Sequence, residues 1–267
     1  MMKDIISGII KQSLVAETWD WLQQMGAPQN TLANFNTAFI TIPRRTGKVP
    51  VKTTNEQQQA IATTRPGFSI EGWTIDRLTR VWLLMQLDAA DKEKYHTTIE
   101  RLFLTAEMNE LVALYSSLPL LAYPGSWIKR CSEGIRSNIA TVLEAIMYHN
   151  PYPAENLDEA AWNQMILKAF FTEKDVTLIA GLDERANKAL AHTLADYARE
   201  RWAAHRTVNP DLWLLVGKFI DDKILNDIKI GLAGNDEMGK KAITDAISKS
   251  DYQPAKDMIK EYTTITN

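Results

Sequence analysis

Apolar residues recur at helical spacing along much of the chain. Ile139, Val142, Leu143 and Ile146 follow the i, i+3, i+4, i+7 order that places side chains on one face of an α-helix. The same kind of order recurs in three further stretches, 78–85, 162–170 and 190–197. No stretch alternates polar and apolar residues between hairpin turns, as a half-buried strand does. The chain is therefore predicted to be all-α.

The region 27–72 has the weakest helical pattern. Prolines interrupt it at four places, Pro28, Pro43, Pro50 and Pro66. It also contains a basic stretch without an acidic residue, which holds Arg44, Arg45, Lys48 and Lys52. Two interpretations remain open: an exposed loop that joins two helices, and a mobile basic lid over an anionic ligand. We expect one all-α domain over residues 1–267, of which 27–72 is the less regular part.

One internal repeat points to stacked helical hairpins in the C-terminal half. Residues 180–194 align with residues 233–247, and six of the fifteen paired positions are identical. In each copy an aspartate, Asp183 or Asp236, follows a turn of small residues and is predicted to cap the next helix. Such an arrangement is typical of HEAT-like arrays, in which each hairpin buries its apolar face against the next one.

Charge and hydropathy restrict the partners and the compartment. The chain has 30 Lys+Arg and 33 Asp+Glu, a formal net charge of −3, which argues against a nucleic-acid partner. A HEAT-like nucleic-acid binder that uses Arg44, Arg45 and Lys48 is the weakest of the functional hypotheses. The longest charge-free run, 111–128, contains two prolines, so we interpret it as a helix end, a turn and a helix start. Because the N-terminus does not resemble a signal peptide either, we expect a cytoplasmic protein, with the inner face of the membrane as a second option.

Polar side chains are frequent at helical positions between Trp127 and Trp213. Arg201, for example, falls on the same helix stripe as Leu190 and Leu194, which predicts an internal carboxylate partner or a cavity. The set is interpreted either as a hydrogen-bonded network between packed helices or as a polar ligand pocket. The candidate ligand-binding residues are Trp127, Arg130, Glu133, Arg136, Asn138, Asn150, Tyr152, Asn163, Lys168, Asp183, Arg185, Asn187, Tyr197 and Arg201. Asn138 has an alternative role as the cap of the helix that follows it.

Motifs of metal, cofactor and covalent chemistry do not occur. The histidines do not form an HExxH pattern, and Cys131 is the only cysteine. No GxSxG sequence and no dinucleotide-binding glycine pattern is found. We therefore predict no metal, no cofactor and no catalytic residue.

A series of motifs in fixed order resembles the EboA family of bacterial metabolite-traffic proteins. These motifs are Leu118–Leu121, Glu133–Asn138, His149–Pro153, Trp162–Met165, Arg185–Asn187, Asp196–Ala204 and Arg206–Trp213. The resemblance covers roughly residues 73–217. It implies a protein encoded beside a prenyltransferase-like membrane protein and enzyme-like partners, in clusters linked to the export of a secondary-metabolite precursor. It implies no reaction and transfers no catalytic residue.

Two functions from different classes follow. The first is a non-catalytic adaptor or carrier that binds a small metabolite or the membrane partner. Its anion contacts would be Arg130, Arg136, Lys168, Arg185 and Arg201, and its aromatic contacts Trp127, Tyr152, Trp162 and Trp202. The second is an enzyme that modifies the metabolite, with an acid–base pair chosen from Glu133, His149, Asp183 and Glu200. We favour the first. The sequence leaves the ligand and the oligomeric state open.

Overall fold

The computed structural model describes residues 1–234 and 237–266, with the side chains of 1–233 and 237–260. Within these ranges the chain forms sixteen α-helices and no β-strand, which confirms the all-α prediction. The helices are α1 (Met2–Ser13), α2 (Ala16–Met25), α3 (Leu32–Thr46), α4 (Asn55–Thr64), α5 (Ile75–Leu84), α6 (Lys92–Thr105), α7 (Met108–Ser117), α8 (Ile128–Arg136), α9 (Ala140–Met147), α10 (Tyr152–Asn156), α11 (Glu159–Phe171), α12 (Lys188–Ala203), α13 (Leu212–Val216), α14 (Asp222–Gly234), α15 (Glu237–Ser248) and α16 (Gln253–Thr266). Short 3₁₀ turns occupy Leu118–Leu120, Pro124–Trp127, Val176–Leu178 and Gly217–Phe219.

The helices group into two compact units. Unit 1 comprises Met1–Leu157 and Leu178–Ala180, and unit 2 comprises Asp158–Thr177 and Gly181–Asn267. Helices α1 to α10 belong to unit 1, and α11 to α16 belong to unit 2. The expectations of a single domain and of a HEAT-like array stay predictions.

Helix α5 lies at the centre of unit 1. It contacts α1, α3 and α7, so nearly every residue of α5 is buried. Two of these buried residues are charged. Arg80 is 3% exposed, and its Nη1 atom lies 3.0 Å from Oδ2 of Asp76, one turn earlier. Removal of either partner of such a buried ion pair would leave an uncompensated charge in the core and destabilise the fold.

Residues 27–72 contain two helices, so the expectation that this region is a loop is wrong. Helix α3 begins after Thr31, whose side chain accepts a hydrogen bond from the N–H of Asn34 at 3.2 Å. Helix α4 begins after Thr54, which forms a reciprocal capping box with Gln57. The buried face of α3 consists of Phe35, Ala38, Phe39 and Ile42. These four residues follow the i, i+3, i+4, i+7 order, which outweighs the prolines of the region.

A buried arginine explains why α3 continues through Pro43. Proline has no N–H, so the carbonyl group of Phe39, four residues earlier, loses its donor within the helix. Nε of Arg80 donates a hydrogen bond to that carbonyl oxygen at 2.9 Å. The side chain from α5 thus replaces the missing backbone donor, and α3 extends to Thr46.

One predicted pair of helix boundaries is confirmed. The charge-free run 111–128 contains the end of α7, two 3₁₀ turns and the start of α8. No helix of the described residues combines the length and the apolar character that crossing a bilayer requires.

The predicted cap of α12 is wrong. Its N-cap is Asn187, whose side chain accepts a hydrogen bond from the N–H of Leu190 at 2.8 Å, and Asp183 lies in the preceding turn. An amide oxygen caps a helix as well as a carboxylate does, and Asn187 stands at the residue where the helix begins. Asp236, the cap predicted in the second copy of the repeat, lies outside the described residues.

The two copies of the repeat also start their helices at different points. Helix α12 begins at Lys188, whereas α15 begins at Glu237, four residues earlier in the alignment of 180–194 with 233–247. The two copies of the repeat are therefore similar in sequence, but their helices begin at different aligned positions.

Candidate functional site

Helices α2 and α3 form a helical hairpin in unit 1, and a groove of about 710 Å³ lies between them. Seven of its ten lining residues are polar or charged, and the lining comes from one face of each helix. The lining residues are Glu17, Thr18, Trp21 and Met25 from α2, and Asn34, Thr37, Ala38, Thr41, Arg44 and Arg45 from α3.

Two arginines at the C-terminal end of α3 line one end of this α2–α3 groove, and one of them stacks on an indole ring. The central carbon of the Arg45 guanidinium lies 4.7 Å from the ring centroid of Trp21, which is a cation–π contact. Arg44 precedes it in the last turn of α3, and both arginines are exposed. Glu17 is the one carboxylate among the described lining residues, so the lining has a net positive charge. This end therefore suits a planar anion, which two guanidinium groups can bind by charge-assisted hydrogen bonds.

The wall that α3 contributes presents hydrogen-bond acceptors. The hydroxyl groups of Thr37 and Thr41 donate to backbone carbonyl oxygens one turn earlier, at 2.9 and 2.7 Å. The side-chain N–H of Asn34 donates to Oδ1 of Asn30 at 3.0 Å. Because the hydroxyl protons of Thr37 and Thr41 are used within the helix, the remaining lone pairs of these two oxygens can accept hydrogen bonds from a ligand. The groove is thus complementary to a molecule that has both an anionic group and an N–H or O–H group.

Three of the predicted site residues form internal hydrogen bonds of unit 1. The side chains of Trp127 and Tyr152 donate to backbone carbonyl oxygens at 2.8 and 2.6 Å. Buried Asn150 donates to two backbone carbonyls and accepts from the N–H of Tyr152 at 3.1 Å. Burial raises the pKa of Tyr152, so its phenol stays protonated as a donor. The Tyr152 bond joins α10 to the segment before α8, and the Asn150 bonds join the turn before α10 to α7 and α9.

Arg130 lies between two carboxylates. Its Nε atom donates to Oε1 of Glu100 at 3.0 Å, and its Nη1 atom lies 2.9 Å from Oε2 of Glu133. The hydrogen bond from Arg130 lowers the pKa of Glu100. Two further candidates, Arg136 and Asn138, are exposed, and Asn138 does not cap α9.

The unit 2 candidates include a pair of amides. Asn163 and Asn187 exchange side-chain hydrogen bonds of 3.2 and 2.8 Å. The Arg185 guanidinium lies 5.1 Å from the ring centroid of buried Trp162. Lys168 is half-buried, and desolvation lowers its pKa. These residues lie around α11 and the start of α12.

The remaining unit 2 candidates lie elsewhere. Nε of Arg201 donates to the backbone carbonyl of Thr207 at 2.6 Å, and its guanidinium lies 5.8 Å from the ring centroid of Tyr197. The expected carboxylate partner is thus replaced by a carbonyl oxygen of the loop after α12. Asp183 is exposed and lines a pocket of about 430 Å³ together with Trp213.

The groups that acid–base chemistry would use are not paired within either unit. In unit 1, Glu133 is engaged with Arg130, and no hydrogen bond joins it to His149 among the described residues. In unit 2, Asp183 and Glu200 are both exposed. Burial raises the pKa of Cys131 to about 12, so its thiolate is not populated at neutral pH. Among the described residues, no three His, Cys, Asp or Glu side chains are arranged to hold a metal.

A family model described as metabolite traffic protein EboA matches residues 2–217. The chain belongs to the EboA family. The match begins well before residue 73, where the sequence resemblance was expected to start, so the family region includes α1 to α4 and with them the α2–α3 groove. The family name indicates a role in metabolite traffic. No curated protein and no solved structure matches the chain significantly.

Sequence reasoning found only part of the groove of this EboA family member. It named Arg44 and Arg45 as possible contacts of an anionic ligand, but it missed Trp21, Thr37 and Thr41. The polar residues of α3 recur three and four positions apart, which is the spacing of a helix face. That pattern predicts a polar stripe once residues 32–46 are recognised as a helix.

Proposed function

We propose that this protein is a non-catalytic carrier in metabolite traffic, and that it binds a planar, anionic small metabolite in the α2–α3 groove. The observation that carries the proposal is the stacking of Arg45 on Trp21 at 4.7 Å, with Arg44 beside it. An aromatic acid can place its carboxylate between these guanidinium groups and its ring against the indole. The family name, which refers to metabolite traffic, supports the same function.

The acceptors along α3 narrow the class of ligand. Thr37 and Thr41 offer oxygen lone pairs, so a cargo with an N–H or O–H group satisfies the wall better than a plain aromatic acid does. We therefore propose an aromatic acid with at least one ring or side-chain donor. A prenyltransferase-like membrane protein is the proposed recipient or source of this cargo, as the family resemblance implies.

Three related probes test the groove by isothermal titration calorimetry of the full chain. They are 6-hydroxy-2-naphthoate, its methyl ester, which has no charge, and 2-naphthoate, which has no hydroxyl donor. We expect the hydroxy acid to bind most tightly and the ester at least about tenfold more weakly, because a charge-assisted hydrogen bond contributes about 1.5–3 kcal/mol. Loss of the hydroxyl group should weaken binding by a smaller factor, about two- to tenfold.

Variants of the chain test whether the three probes bind in the α2–α3 groove. Arg45→Gln should weaken binding of the hydroxy acid about tenfold, and Trp21→Leu should weaken all three probes, because each presents a ring to the indole. Arg101→Gln, which removes an exposed arginine outside the groove lining, is the matched control and should bind as the unmodified chain does. Equal affinity for acid and ester, or equal binding by Arg45→Gln and the control, refutes the proposal. Mass spectrometry of the probe after incubation tests the non-catalytic part, because a carrier returns the probe unchanged.

A further inference from the structure

We propose that a second surface of unit 1 docks onto a membrane that contains anionic phospholipids. This surface surrounds a cavity of about 470 Å³ beside the C-terminal end of α3 and the N-terminal end of α7. We call it the α3–α7 face and define it by Ile40, Arg44, Lys48, Leu104 and Met108. It shares Arg44 with the α2–α3 groove, but the residues that test it, Lys48, Leu104 and Glu107, do not line that groove, so the two proposals can fail separately.

The cavity has a fixed guanidinium group in its lining. Arg80 is held by the two hydrogen bonds of its Nε and Nη1 atoms, to Phe39 and Asp76. Its Nη2 atom lies 3.8 Å from Oε1 of Glu110, beyond hydrogen-bond distance. Nη2 can therefore donate to an oxygen atom that enters the cavity. A phosphate group of a lipid offers such an oxygen and is a strong acceptor.

Exposed cations stand at the rim of the same cavity. Arg44 and Lys48 both line it and are exposed. They belong to a stretch, residues 27–55, that contains no acidic residue, although the whole chain has a net charge of −3. Two carboxylates oppose them in the lining, the exposed Glu107 and the buried Glu110. The three cations of the lining outnumber its two carboxylates, so the face has a net positive charge on an otherwise slightly acidic chain, which is complementary to an anionic leaflet.

Large aliphatic side chains are exposed around these cations. Ile40 lines the cavity and is 55% exposed. Leu104 is 73% exposed and Met108 is 52% exposed, and each adjoins a lining residue, Thr105 or Asn109. Apolar side chains next to Lys and Arg are typical of surfaces that insert at the boundary between headgroups and acyl chains.

The composition of the face favours a lipid over a free phosphate or a protein. A soluble phosphate ester gains nothing from Leu104 and Met108, whereas acyl chains bury such side chains. Protein interfaces are enriched in aromatic residues and depleted of Lys and Glu, whereas the described lining of this cavity has no aromatic residue and contains Lys48, Glu107 and Glu110. The three aliphatic side chains and the two rim cations together therefore match an anionic lipid surface.

Vesicle flotation with the full chain tests the proposal. The vesicles contain either phosphatidylcholine alone or phosphatidylcholine with 30 mol % phosphatidylglycerol. We expect binding to the anionic vesicles only, reduced about fivefold by Lys48→Gln and roughly tenfold by Leu104→Ser. Glu107→Gln should strengthen binding about fivefold, because it removes the opposing charge. Lys11→Gln and Phe171→Ser replace an exposed cation and an exposed apolar residue outside this face, and both should bind as the unmodified chain does.

Each of the following results would overturn the proposal of a membrane-docking surface. Absence of binding to anionic vesicles overturns it directly. Equal losses in the controls and in the α3–α7 face variants show unspecific adsorption instead. Calorimetric binding of inorganic phosphate or glycerol 3-phosphate without vesicle binding assigns the cavity to a soluble anion. Because Lys48 and Leu104 are exposed, their variants keep the fold, which circular dichroism verifies.

Discussion

Replacing Arg80 by methionine should destabilise the protein by about 3–5 kcal/mol. Methionine has a similar length but no charge, so the buried carboxylates of Asp76 and Glu110 would lose their cation. Removal of one partner from a buried ion pair costs about 3–5 kcal/mol, because the other charge stays desolvated. Arg80 is 3% exposed, so solvent does not screen this loss.

A double-mutant cycle isolates the contact with α3. Pro43→Ala restores a backbone N–H that can donate to the carbonyl of Phe39, the same oxygen that Nε of Arg80 reaches at 2.9 Å. The cost of Arg80→Met should therefore fall by about 1 kcal/mol when alanine occupies position 43. Urea denaturation followed by far-UV circular dichroism gives the four free energies of unfolding.

Two results would contradict this reasoning. A cost of Arg80→Met below about 1 kcal/mol would mean that the buried carboxylates are compensated in another way. An unchanged cost in the Pro43→Ala background would mean that the Phe39 carbonyl does not depend on Arg80. Arg101→Met, at an exposed position, is the control and should change the free energy of unfolding by less than about 0.5 kcal/mol.

Two further predictions concern the packing and the pH dependence of unit 1. Gly134→Val should cost about 1–3 kcal/mol in thermal unfolding, because an added Cβ atom would lie 2.6 Å from the ring of Tyr115, and an unchanged melting temperature would contradict the close approach. Glu100→Gln should cost about 1 kcal/mol at pH 7, where Arg130 pairs with the charged carboxylate. Because the folded-state pKa of Glu100 is lowered from 4.5, this contribution is complete above pH 4.5 and is lost as the pH falls through the lowered pKa. The difference between the variant and the unmodified chain should therefore shrink as the pH falls below 4.5, and a constant difference would exclude the ionic contribution.

Periodicity was sufficient to locate the helices of the chain that have an uninterrupted apolar face. Helix α9 is an example, since its apolar residues contact α7 and α8 and no proline interrupts them. Helix α3 also has an apolar face at helical spacing, but a proline interrupts it, and the full length of this helix could not be predicted in this way. Its continuation through Pro43 depends on Arg80, which is distant in the sequence, and no local pattern reveals a donor that arrives from another helix.

The candidate site likewise has some features that the sequence shows and others that depend on contacts between distant residues. Arg44 and Arg45 were predicted as possible anion contacts because their stretch of sequence has no acidic residue, and the sequence alone shows this. The contribution of Trp21 depends on the pairing of α2 with α3, a tertiary contact. Asn150, by contrast, was predicted as a candidate because it is polar. Its side chain is buried and donates hydrogen bonds to two backbone carbonyl groups. A sequence shows that a polar side chain is unusual at its position, but the partner of that side chain is set by the fold.

The path of the chain between the units has a consequence for its synthesis. The polypeptide leaves unit 1 after Leu157, returns for Leu178–Ala180 and then leaves again. The returning segment is paired with the end of α9, because the N–H of His149 donates to the carbonyl of Leu178 at 2.8 Å. A ribosome must therefore translate twenty-three residues beyond Leu157 before the last piece of unit 1 exists. A truncated protein that stops at residue 157 is consequently an incomplete unit 1 rather than a separable domain, and a fragment that is intended to fold alone must carry the chain through Ala180.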